Sequence, residues 1–184
     1  MSSVFRGRVE VLVSGTEVFT NVLEKGVTKY DIAQNILLPN GTTAGKIDLA
    51  WGKTYSAIGA STTTVIDLAG SLTDKSGTTI TMAKVVCIAI RNKSSTAANY
   101  LTMGPDATNG FGVVASNVGF WADATDRNVI PADFNSSDGD CSWVVLHCRT
   151  GVTVTAGATD ELAVITQAGT SANTWDIVVL GRSA

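Results

Sequence analysis

The feature that most constrains this chain is a rhythm. Short runs rich in valine, isoleucine and threonine recur along it, cut every ten to fifteen residues or so by clusters of glycine, asparagine, aspartate or serine. Examples are Val9-Glu10-Val11-Leu12-Val13, Ser61 to Leu68, Val152-Thr153-Val154-Thr155 and Trp175-Asp176-Ile177-Val178-Val179-Leu180. Branching at Cβ favours an extended backbone, and side chains of an extended backbone alternate between two faces. Turn signals stand between the runs at Asn40-Gly41, Asp74 to Gly77, Asn109-Gly110, Asp138-Gly139 and Ala156-Gly157. Many short strands at even spacing predict an all-β fold, an antiparallel β-sandwich or jelly-roll-like domain. One segment breaks the rhythm. Ile32, Ile36 and Leu37 recur at helical spacing before Pro39, which predicts a short helix over 30–38.

With 184 residues, 45% of them hydrophobic, the chain has the size of one domain and can bury a full core. A division falls near Gly41 to Gly45. Residues 1–45 carry more charge and read as an N-terminal arm or extension; residues 46–184 read as the β-sandwich domain.

Two strands carry apolar residues on both faces. In Ile80 to Arg91, one face holds Ile80, Met82, Lys84, Val86, Ile88 and Ile90, and the other holds Thr81, Ala83, Val85, Cys87, Ala89 and Arg91. Likewise Cys141, Trp143, Val145 and His147 lie opposite Ser142, Val144, Leu146 and Cys148. An antiparallel strand with one wet face alternates apolar and polar residues, so a second apolar face needs a cover. A mean hydropathy of +0.22 points the same way. Either a neighbouring subunit or the chain's own first fifty residues can supply the cover. Val85, Cys87 and Ala89 are therefore candidate interface residues. Phe120 and Trp121 join them, because they sit by a loop where a large aromatic can anchor a partner. Trp143 and Trp175 lie within apolar runs and are expected in the core.

Charge argues against two partner classes. The net charge is −3, and lysines and arginines are scattered singly, so nucleic acid is not expected as the main partner. The N-terminus lacks the apolar stretch of a secretory signal, and no apolar run approaches a membrane span. A soluble chain made in the cytoplasm, with no membrane partner, is expected. Three cysteines, an odd number, suggest free thiols.

The search for chemistry ends in expectations of absence. His147 is the only histidine and sits mid-strand, so a histidine-dependent nucleophile has no exposed base to use. Along an extended strand, Cys141 and His147 would stand about 20 Å apart and Cys148 would face the other way, so they cannot share one metal. The acidic loop Asp133 to Asp140 invites a calcium reading. Counted as a calcium-binding loop from Asp133, Gly139 falls one place late and Val144 stands where the bidentate glutamate belongs. No catalytic residue, cofactor or metal is expected, and the protein is read as a non-enzyme.

The order of several segments adds a resemblance. Asp67 to Asp74, followed by Ile80 to Asn92, resembles a run in small structural proteins of tailed bacteriophages. Tyr100-Leu101-Thr102-Met103-Gly104, Val129-Ile130-Pro131, Val152 to Gly157 and Trp175 to Gly181 continue the resemblance in order. It covers residues 46–184 and departs at the enlarged loop Asp133 to Asp140. It implies a virion β-sandwich, made in the bacterial host cytoplasm, with no catalytic residue to carry over. The expected role is a capsid decoration or stabilising subunit. Its expected partners are itself, as a homo-oligomer such as a trimer, and other virion proteins such as the major capsid protein. A tail, connector or fibre component, or a receptor- or glycan-binding module, is the alternative.

Overall fold

In the computed structural model the protein is described over residues 7–20, 25–74, 76–96, 98–114, 118–132, 142–167 and 172–184, with residues 7, 9–20 and 25–34 described as backbone. Every regular element among them is a strand. The strands are β1 (Gly7–Thr20), β2 (Lys25–Leu38), β3 (Leu49–Ile58), β4 (Thr63–Asp67), β5 (Leu72–Thr73), β6 (Thr79–Ile80), β7 (Lys84–Asn92), β8 (Leu101–Pro105), β9 (Asn128–Ile130), β10 (Ser142–Thr153), β11 (Glu161–Thr166) and β12 (Asn173–Arg182).

Eight of these strands make two four-stranded antiparallel sheets, ordered β10-β7-β12-β3 and β4-β11-β8-β9. Successive strands β3 and β4, β7 and β8, β9 and β10, and β11 and β12 each step from one sheet to the other, which is the winding of a jelly roll. The strands β5 and β6 form a small hairpin in the connection between β4 and β7. The sandwich expectation therefore holds.

The core lies between the two sheets. Ile88, Ile90, Trp175, Ile177, Val179 and Trp51 come from one inner face, and Ile66, Leu101, Met103, Ile130, Leu162 and Val164 from the other. Trp175 is wholly buried and stacks on Tyr55 with ring centroids 4.1 Å apart. At one end of the sandwich the buried amide of Asn92 donates to the carbonyls of Asn99 and Pro131 at 2.9 and 3.0 Å, closing the end of β7 onto the loops flanking β8 and β9.

The helix expected over 30–38 is a strand. Residues Lys25–Leu38 pair in an unbroken antiparallel register with Gly7–Thr20. Of the residues that suggested helical spacing, Ile32 and Ile36 also fit a period of two with Tyr30 and Leu38, whereas Leu37 falls at the alternate position and is exposed. Short apolar runs are ambiguous between the two periods, and the partner strand decides. Together β1 and β2 form a two-stranded ladder, separate from both sandwich sheets.

The long run Ile80 to Arg91 is likewise divided, into β6 and β7, and β7 carries a bulge. Leu180 pairs with Cys87 but the next residue, Gly181, pairs with Val85, so Val86 is the extra residue. A bulge turns consecutive residues toward one side and resets the alternation beyond it.

Candidate functional site

The bulge decides which residues of β7 reach the outer surface. Before it, Val85 enters the inter-sheet core; after it, Ile88 and Ile90 do. Val86, Cys87, Ala89 and Arg91 are left on the outer side of the sheet. Val86 is covered there by Leu38, Ile47, Ile36 and Leu180, a small second cluster contributed mainly by the end of β2 and the segment after it. The chain's own N-terminal residues thus cover one end of the second apolar face.

The rest of that face is open. The registers of the four strands align its residues in three rows. His147, Cys87, Leu180 and Ala50 form the row nearest the covered end. Val145, Ala89, Val178 and Gly52 form the middle row. Trp143, Arg91, Asp176 and Thr54 form the third. Trp143 is 57% exposed, Val178 45% and Val145 41%, which is high for large apolar side chains lying side by side. Ala89, between the two valines, adds little bulk and Gly52, beyond Val178 on β3, adds none, so the middle row dips at both positions. A depression continues from it round the free edge of β3 toward Val65 and Leu72.

The third row is polar and tied together. The Asp176 carboxylate accepts from Arg91 Nη2 at 2.5 Å and Nε at 3.0 Å, and from Thr54 Oγ1 at 2.7 Å, with Lys93 Nζ 3.7 Å away. Burial by itself pushes the Asp176 carboxyl up, but the hydrogen bonds from Thr54 and Arg91 and the charge of Lys93 outweigh it and hold the group below its ordinary value. Arg91 also lies over the Trp143 ring, its guanidinium carbon 5.2 Å from the centroid. The geometry is that of an apolar patch with a fixed polar rim.

The expected interface residues fall out unevenly. Ala89 stands at the centre of the open face. Cys87 is on the same side but buried beneath its neighbours. Val85 is a correction: it is fully enclosed in the core, because the bulge at Val86 breaks the alternation that placed it with Cys87. Trp121 is a second correction. It is only 4% exposed, its Nε1 donates to Asn128 Oδ1 at 2.8 Å and its ring meets Phe120 edge-on. A loop residue can fill a sandwich core when the loop folds over the open end of the sheets. Phe120 is half-buried, packed against that core and edge-on to Phe111.

Trp143, expected in the core, stands on the surface, whereas Trp175 lies in the core as expected. The sequence held a signal for this. Trp143 alternates with Val144 and Leu146, which pack against the core, and Asp176 alternates with Trp175 and Ile177.

His147 and Cys87 are cross-strand partners in the first row. Burial raises the Cys87 thiol to about 11, the reverse of what a thiolate nucleophile requires. Burial, and secondarily the charge of Arg149, lower His147 and favour its neutral form. Cys148 points to the core side. Among the described residues no group of three or more histidines, cysteines or carboxylates is placed to hold a metal ion. Cys141 and the loop Asp133 to Asp140 lie outside the described residues.

Comparison with known proteins found no matching family model and no matching curated protein. Among solved structures, the chain is similar to an unassembled VP1 pentamer (R198K mutant) of Washington University polyomavirus, at 7% identity over 96% of this chain and 94% of that one, with a TM-score of 0.16.

Proposed function

We propose that the protein is a structural subunit of a bacteriophage particle, a capsid decoration or stabilising protein that works by packing its open sheet face against other subunits. The observation that carries this reading is the cluster of exposed Trp143, Val145 and Val178 around Ala89. Leaving such a patch in water is costly, and covering it stabilises whatever covers it by roughly 25 cal/mol per Å² of apolar surface removed from water. The setting in a virion comes from the ordered resemblance of residues 46–184 to tailed-phage structural proteins. Jelly rolls also host lectins and other functions, so the winding of the strands does not choose between them. In this reading the partners are further copies of the chain and the major capsid protein, and no catalytic step is involved. A tail or fibre component would use the same face in the same way.

The test is assembly. Light scattering and native mass measurement of the whole chain should give a defined oligomer, or binding to capsid shells that lack the protein. Val178→Asp should keep the fold and lose that association. A wild-type chain that stays monomeric and binds no shell would overturn the proposal.

One observation favours a glycan-binding reading second: the exposed Trp143 ring lies beside the hydrogen-bonding groups of Thr54, Arg91 and Asp176, a combination that suits a sugar. Saturation-transfer measurements against a glycan panel would detect it, and Trp143→Ala should abolish the signal.

A further inference from the structure

Arg182, at the end of β12, is only 3% exposed. A guanidinium cannot be deprotonated in a protein, so burial does not neutralise it as it can a lysine or a histidine. Buried charges are therefore met by opposite ones. The chain supplies none here. Among the described residues the ion pairs are those of Asp176 with Arg91 and Lys93, and no carboxylate lies within 4 Å of the Arg182 nitrogens. Arg182 Nη2 donates to the Thr150 carbonyl, and its Nε is shut off from solvent without a hydrogen-bond partner. The neighbouring acid Asp48 is taken by Ser183, whose amide and hydroxyl donate to it at 2.9 and 2.5 Å.

A second cation stands beside the first. Lys84 of β7 is the register partner of Arg182, and Thr153 of β10 is the partner of Lys84. Directly opposed residues share a face, so both cations lie on one side of the sheet. Lys84 Nζ donates to Thr153 Oγ1 at 2.7 Å and has no ion pair among the described residues. Gly151 lets the two side chains lie together: it is held at φ +73°, and a Cβ on it would stand 2.8 Å from Arg182 Nη2 and 3.1 Å from Lys84 Cβ. Arg149, next to Thr150 in the chain, adds positive charge to the same end of β10.

We propose that Arg182 and Lys84 hold a small oxyanion of the phosphate class where β7, β10 and β12 lie side by side. Their acceptors within the chain, the Thr150 carbonyl and the Thr153 hydroxyl, are neutral oxygens, which fix the two side chains without cancelling either charge. Arginine carries five N–H donors and lysine three, so most of them are left for a ligand. A tetrahedral anion presents oxygens in several directions and can meet donors from strands ~4.8 Å apart at once. A planar carboxylate is matched to the guanidinium fork alone. Burial sets the size: the way in passes over the half-buried Lys84 and the exposed Thr153, which admits a free ion sooner than a group carried on a macromolecule. The site is separate from the open face formed by Trp143, Val145 and Val178, and it stands or falls independently of the assembly reading.

Calorimetric titration of the full chain with inorganic phosphate, at an ionic strength held constant with chloride, tests the site. Saturable binding of close to one phosphate per chain is expected. The thermal transition should rise by roughly 5–10 °C at about a hundredfold excess of phosphate over its Kd. Lys84→Gln removes one charge from a half-buried position and should weaken binding at least about tenfold. Arg182→Gln should abolish it, and if that variant does not fold, Lys84→Gln decides alone. Acetate should bind more weakly than phosphate. No saturable binding, a thermal shift reproduced by chloride, an equal response to acetate, or phosphate binding unchanged in Lys84→Gln would overturn the phosphate site and leave Arg182 as a clamp on the Thr150 carbonyl.

Discussion

Arg91 and Asp176 are register partners on β7 and β12, and they form a two-pronged charged pair on the outer sheet face, at 2.5 and 3.0 Å to one carboxylate oxygen. Their side chains are 32% and 24% exposed, so water screens the pair only in part. Asp176→Asn should therefore lower stability by no more than about 1 kcal/mol near neutral pH. The pH dependence has a definite sign. The folded carboxyl titrates below its unfolded value, so its contribution is complete above the ordinary carboxylate range and is lost as pH falls through the folded value. Urea midpoints measured from pH 7 downward should converge for wild type and variant in acid.

Substitution at Trp175 should be costly in a graded way. The ring is fully buried against Tyr55, and its Nε1 has no hydrogen-bond partner among the described residues. Trp175→Ala should cost ~3–5 kcal/mol through the cavity it leaves. Trp175→Phe keeps most of the stack and removes the unpaired donor, so it should cost clearly less. Chemical denaturation of the two variants would show the order.

Gly112 is held at φ +87°, and a methyl group on it would run into the Trp121 ring. Gly112→Ala therefore meets both backbone strain and a clash with a packed indole. A loss of about 2 kcal/mol or more is expected, read as a lowered melting temperature.

The thiols should separate in a labelling experiment. With its thiol raised to about 11 by burial, Cys87 is ionised in only about one copy per thousand at pH 8. Cys148 is partly accessible. Mass analysis of peptides after brief treatment with iodoacetamide should find Cys148 modified well before Cys87, and unfolding should equalise them.

Val85 and Val178 should respond oppositely to the same change. Val85→Asp places an unpaired charge in the closed core and should cost several kcal/mol, enough to leave the chain insoluble or unfolded. Val178→Asp adds a charge to an exposed position and should leave the melting temperature near that of wild type. Equal behaviour of the two would contradict the placement of the bulge at Val86.

The all-β class was legible because it rests on a local property: β-branched runs at period two between turn residues. The double apolar character of the strands around Val86 and Trp143 was legible for the same reason. Period alone could not separate strand from helix at Tyr30 to Leu38, since a few apolar residues satisfy both spacings until a pairing strand is present. Nor could it locate the bulge. A strict alternation through Ile80 to Arg91 groups Val85 with Cys87, and one extra residue in the ladder puts them on opposite sides.

What the sequence determined by itself was thus a surplus: more apolar strand surface than one sandwich interior consumes. Which side of each strand was surplus was decided only in the tertiary structure, by cross-strand register. Pairing fixes Ala89 between Val145 and Val178, seats Arg91 on Asp176, draws Trp121 inward over the core and turns Trp143 out. Those placements depend on residues dozens of positions apart meeting in one ladder, and register of that kind is set by the packing of the whole sandwich, where a one-residue shift exchanges the faces of a strand.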